Sequence, residues 1–138
     1  MTADDMIEIA VVGAHLSGLP LNAQLTTRGA RLLRAVATEP VYRLYALADA
    51  MPPRPGMVRV GAADGAAIAV EVWSMAADAF GRFVAAIPAP LSIGTVLLCD
   101  GSRPKGFLCE AAGLAGATDI TAYGGWRTWL AGRNENAA

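Results

Sequence analysis

The chain contains one histidine, His15, in the run Gly13-Ala14-His15-Leu16-Ser17-Gly18, directly after an apolar stretch. An imidazole with an ordinary pKa of about 6.5 can supply a proton or a positive charge at neutral pH. A histidine at a strand end can equally be a plain structural residue, and type and position alone leave both roles open. The following loop can present the amides of Leu16, Ser17 and Gly18 together. Glycine accepts the dihedrals of a concave anion nest, and Ser17 adds a hydroxyl; the alternative is an ordinary turn. Asn22 and Gln24 follow closely and could orient a carboxylate or the imidazole, or simply cap a turn.

The cations come next. Arg59 interrupts the short apolar run "MVRV", where a purely solvated role is less natural, and a guanidinium fork suits a carboxylate. Arg28 in "TTRGA" is the second candidate, whereas Arg103 and Lys105 fall on a turn and read as solvated. Glu71 interrupts the apolar strand "AIAVEVW". A carboxylate facing inward there would need a His or Arg partner, and the alternation also allows it to face outward. Tyr123, Gly124, Gly125 and Trp126 form an aromatic segment that reads as a core plug or as a pocket wall. Cys99 and Cys109 read as small strand or core residues, and with one histidine they make no structural zinc set. No metal and no cofactor are expected.

The elements that must position these groups fit one domain of 138 residues. A chain of this size buries about 68–70% of its unfolded surface. It is 54% hydrophobic and 17% charged, with a net charge of −1. That balance excludes a disordered chain, and the lack of a basic stripe argues against a nucleic-acid partner. No apolar run approaches the roughly 18 residues that span a bilayer. The start "MTADDMIEIA" is acidic where a secretory signal is basic, so the expected compartment is the cytoplasm.

Strands are predicted at residues 7–12, 31–38, 41–47, 57–60 and 67–75, where β-branched and apolar residues dominate. The proline-rich stretch 48–56 is a loop. Phe80, Phe83, Val84 and Ile87 recur at helical spacing and predict a helix over 76–87, stopped by "PAPLSIG". A hairpin is predicted between "TVLLC" and "GFLCE", which would set Cys99 opposite Gly106 and Cys109 opposite Val96. A short helix over 120–130, capped by Asp119 or Thr118, ends the domain, and residues 132–138 are expected to form a flexible tail. The fold class is α+β: one domain with a curved mixed sheet or small β-barrel and one or two helices.

The strings "VVGAHLSGLPLN", "LTTRGARLL", "YRLYAL", "IPAPLSIGTVLLCDGS" and "DITAYGGWRTWL" carry a family likeness over nearly the whole chain. It resembles the C-terminal domain of bacterial and yeast allophanate hydrolases, enzymes of urea breakdown, a domain similar in fold to the γ-glutamylcyclotransferases. The resemblance implies that residues 1–131 form this domain. It also implies a role in decarboxylating N-carboxycarbamate, the product that an amidase domain makes from allophanate. His15 would then be the proton donor or electrostatic catalyst. Leu16, Ser17, Gly18, Asn22, Gln24, Arg59, Gly94 and Thr95 would hold a small carboxylate or dicarboxylate. The chain itself contains no amidase signature, and reads as a free-standing relative or an excised domain.

The γ-glutamylcyclotransferases place an acid/base carboxylate after the helix that follows the "VEVW"-like strand. The matching stretch "FVAAIPAPLSIG" holds no Asp, Glu or His, while Ser92, Gly94 and Thr95 offer neutral donors. No γ-glutamylcyclotransferase activity is therefore expected. Two rivals stay open: an accessory subunit docking on a separately encoded amidase, and an enzyme on a related amide or carbamate. A homodimer is also left open.

Overall fold

A computed structural model describes residues 5–137. The apolar run after Asp5 forms strand β1 (Met6–Val11) at the middle of a five-stranded sheet ordered β2-β5-β1-β7-β6. Its antiparallel neighbour β5 (Ala69–Ala76) is the strand whose alternation is clearest in the sequence, and the register sets Val11 opposite Glu71. β2 (Arg31–Ala37) pairs antiparallel with the other side of β5, with a bulge between Leu32 and Arg34. On the far side β1 runs parallel to β7 (Lys105–Cys109), and β6 (Leu91–Thr95) pairs antiparallel with β7. A second sheet holds β3 (Tyr42–Ala46) between β4 (Pro55–Arg59) and the two-residue β8 (Thr118–Asp119). The architecture is the expected mixed α+β domain, and the two sheets stay open instead of closing into one barrel.

Helix α1 (Ala23–Thr26) is a single turn, and α2 (Ala77–Ala85) packs on β5 and β1. Phe83 is its fully buried anchor, while Phe80 and Ile87 pack at the margin of the core, as their spacing requires. The prolines at 88 and 90 end this helix.

Two sequence expectations are corrected. The hairpin uses Leu91–Thr95, so Cys109 lies opposite Leu91 and Gly94 opposite Gly106. Val96, Leu97 and Leu98 are apolar because they are buried, not because they belong to a ladder. Their amides go to Pro104 O, the Tyr42 hydroxyl and Ser102 O. Asp119 accepts from the Thr121 amide (2.9 Å) ahead of a short 3-10 turn whose N-cap position is Ile120. Helix α3 starts only at Trp126, after Gly124 in the left-handed region (φ 74°). The backbone of α3 continues to Ala137, and Ala138 lies outside the described residues.

Candidate functional site

Where β1 ends, the chain folds back on itself. The Leu16 amide donates to Gly13 O (2.9 Å), the Leu19 amide to Leu16 O (3.0 Å) and the Leu21 amide to Ala14 O (2.8 Å). Asn22 pins this loop by donating its side-chain amide to His15 O (2.8 Å). The ring of His15 is buried. It stacks on Phe107 of β7 (centroids 4.9 Å apart, 20° between planes) and meets the edge of Phe83 of α2 (5.3 Å, 86°). Nε2 lies 2.8 Å from Gln24 Oε1, so with the carbonyl turned to it the proton sits on Nε2. Nδ1 has no hydrogen-bond partner among the described residues. Because every buried side-chain N or O among the described residues is satisfied, Nδ1 must reach solvent.

That solvent fills a cleft of about 380 Å³. His15, Gln24, Arg28 and Arg54 give it polar groups, and Phe83 and Phe107 are among its apolar walls. None of its lining residues is an Asp or Glu. Arg28 donates to Gln24 O (2.8 Å) and lies over the Phe83 ring at 5.7 Å. Among the described residues Arg54 donates only to Pro52 O (3.4 Å) and Met51 O (3.2 Å). Neither guanidinium has a carboxylate partner among the described residues. Burial lowers the pKa of His15; the Gln24 hydrogen bond opposes this, and the nearby charge of Arg54 adds to it. The free site therefore holds a neutral imidazole between two unneutralised cations.

The close approach that brings Arg54 here depends on Gly13. A Cβ at that position would fall inside the Pro55 ring, so only glycine lets the end of β1 meet the start of β4.

The loop does cradle a carboxylate, but it is the protein's own. Glu71 is buried, and its Oε1 and Oε2 accept from the Ser17 amide (2.8 Å) and hydroxyl (2.9 Å). It also accepts from Trp73 Nε1 (3.1 Å) and Arg127 Nη2 (3.1 Å). Burial opposes its charge, yet these four donors hold its pKa below the usual carboxylate range. The amides of Leu16 and Ser17 are thus already spent. Gly18 supplies a left-handed turn (φ 78°) and does not line the cleft. Of the two faces the sequence allowed Glu71, the inward one is realised, with an arginine partner.

The structure brings His15, Gln24 and Arg28 together and sets Asn22 behind them. Arg59 stands exposed on β4 opposite Tyr42, away from the cleft. Gly94 and Thr95 lie on β6, outside the cleft lining; a Cβ at Gly94 would meet the Leu108 side chain, and the Thr95 hydroxyl accepts from Lys105 Nζ (3.0 Å). Sequence reasoning passed over Arg54. Its one signal is "PPRPG", an arginine held between prolines in the connection between β3 and β4. Among the described residues no group of three or more His, Cys, Asp and Glu could hold a metal ion. No helix there is long and apolar enough to cross a membrane.

A mixed sheet whose central strand leads a histidine into a cationic cleft defines a small α+β domain. The chain belongs to the family of the allophanate hydrolase C-terminal domain, whose model matches residues 7–131. It is 42% identical over 133 residues to the urea amidolyase of Lachancea kluyveri, covering 94% of this chain and 7% of that protein. The chain thus spans a small part of the curated relatives it matches. The solved allophanate hydrolase of Kluyveromyces lactis superposes with a TM-score of 0.88 at 41% identity, over 94% of this chain and 22% of that one. A uropathogenic E. coli-specific protein superposes with a TM-score of 0.85 at 34% identity, and the match takes in 95% of this chain and 98% of that chain.

Proposed function

We propose that the His15 cleft binds N-carboxycarbamate, or a closely related small dicarboxylate, and assists its decarboxylation in allophanate breakdown. One observation carries the reading: two arginines without carboxylate partners converge with a histidine in a cleft that contains no acid. Arg54 and Arg28 would each take a carboxylate of the dianion. The dianion raises the affinity of His15 for a proton at the open Nδ1. The bond from nitrogen to one carboxylate carbon breaks, carbon dioxide leaves, and the electron pair stays on nitrogen. The proton on Nδ1 passes to that nitrogen, giving carbamate, which falls to ammonia and a second carbon dioxide in water. Fixed positive charge acts where electron density collects, as in other preorganised anion sites. The N-carboxycarbamate would come from an amidase that this chain does not contain, whether fused or separate.

The test generates N-carboxycarbamate from 13C-labelled allophanate with an amidase domain and follows its decay by 13C NMR. Adding this chain is expected to shorten the lifetime of the intermediate, and adding the His15→Asn variant is not. A lifetime unchanged by the wild-type chain overturns the reading.

A further inference from the structure

The polar cluster behind the His15 loop has no part in the chemistry just described, yet its side chains are densely hydrogen-bonded. Glu71 projects from β5, opposite the last residue of β1. It reaches across 54 positions of sequence to take both donors of Ser17, two residues beyond His15. From the start of α3, Arg127 closes the cluster from outside. Its Nη2 donates to Ser17 O (2.6 Å), Ser17 Oγ (3.1 Å) and Glu71 Oε2 (3.1 Å). Trp73, next on the same face of β5, fills the remaining direction of Oε1. Two separate elements, β5 and α3, thus converge on one residue of the loop.

We infer that Glu71 is a positioning residue, and that with Arg127 it forms a clamp on Ser17 that sets the height of the His15 ring in the cleft. Glu71 does not touch the cleft. It acts through the loop, whose other end is held by Asn22 on His15 O. A buried carboxylate is costly unless every lone pair is used, and here four donors use them, so the cluster has one stable arrangement. Small losses of placement at a site are amplified in function: a misplacement on the order of 1 Å costs up to about 100-fold. The position of the C-terminal helix is thereby coupled to the site, since Arg127 lies in its first turn. The inference deepens the dicarboxylate reading and rests on it for its consequence for binding, but its consequence for His15 itself can be measured in the ligand-free protein.

His15 is the single histidine, so its imidazole resonances titrate without overlap. The experiment compares wild type with Glu71→Gln, Ser17→Ala and Arg127→Met by NMR titration of His15, malonate calorimetry and thermal melting. With the clamp slack, water gains access to the ring. The His15 pKa is then expected to climb from its burial-lowered value towards 6.5, and malonate affinity to fall roughly 10- to 100-fold in Glu71→Gln. Smaller shifts of the same sign are expected for the other two variants. A His15 titration identical to wild type, with only the melting temperature lowered, makes the cluster a structural brace and overturns the inference. If wild type fails to bind malonate while the variants still shift His15, the dicarboxylate reading falls and the clamp stands. If Glu71→Gln does not fold, the His15 titrations of Ser17→Ala and Arg127→Met decide by the same criterion.

Discussion

His15 shows how a residue can be buried and reactive at once. Its ring is held between Phe107 and Phe83, one nitrogen is committed to Gln24, and the other opens on the cleft. Replacing it removes two contributions of different kinds. His15→Asn should weaken malonate binding by about 1.5–3 kcal/mol, the range for a hydrogen bond to a charged group. It should also cost the fold about 0.5–1.5 kcal/mol of aromatic packing, a loss the sequence alone did not foresee. Malonate calorimetry beside denaturant melts separates the two, and full-strength binding by the variant would end the catalytic role. Arg54 makes a sharper contrast, because among the described residues its side chain hydrogen-bonds only to two loop carbonyls. Arg54→Gln should weaken malonate by a similar amount while moving stability by less than about 0.5 kcal/mol. Equal malonate affinity in this variant would shift the anion site elsewhere. Since no carboxylate lines the cleft, incubation with γ-glutamyl amino acids should release no 5-oxoproline, and robust release would contradict the proposed chemistry.

At the scale of elements, periodicity was legible wherever one face of an element is buried and the other is not. α2 follows its sequence pattern closely because the sheet takes one of its faces, whereas β5 is buried on both, with Val70 and Val72 on one side and Glu71 and Trp73 on the other. Phe83 is the anchor of α2 at 2% exposure, and Phe83→Ala should destabilise the fold by about 3–5 kcal/mol. A loss below about 1 kcal/mol in chemical denaturation would mean that the helix does not lean on that ring. The pattern misled at β6. "LSIGT" follows a proline and contains Gly94, which reads as a break, yet the strand runs through it, opposite Gly106 of β7. "TVLLC" next to it reads as the better strand, but its apolar residues are inserted into the core from irregular backbone. Burial and pairing both select apolar residues, and only the third dimension distinguishes them. The same limit hid Arg54. The importance of "PPRPG" comes from Gly13 packing against Pro55, a contact between segments more than forty positions apart.

For the whole molecule, the cleft and the clamp make stability depend on pH in a way that composition does not reveal. Burial holds the His15 pKa below its ordinary 6.5, so as pH falls past that value the unfolded chain takes up a proton that the folded chain resists. The stabilisation is therefore complete above 6.5 and is lost as pH falls through the folded value. Glu71 and Asp119 carry the same sign for another reason. Despite desolvation, hydrogen bonds from Ser17, Trp73 and Arg127 in one case, and from Thr121 and Arg43 in the other, hold both below their ordinary 4.5 and 3.8. Their contribution is present above those values and disappears as pH falls through the lower folded ones. The melting temperature should be level near pH 7, decline first below about 6.5 and again below about 4. His15→Asn should remove the first decline and leave the second. Saturating malonate should also flatten the first decline, because a dianion between Arg28 and Arg54 favours the protonated ring and lifts its pKa back. Differential scanning calorimetry from about pH 2.5 to 8, with and without malonate, measures all of this. A wild-type melting temperature that rises on acidification from pH 7 to 5 would mean that the folded chain charges His15 more readily than the unfolded one, and so that the ring does not sit in its buried, cation-flanked position.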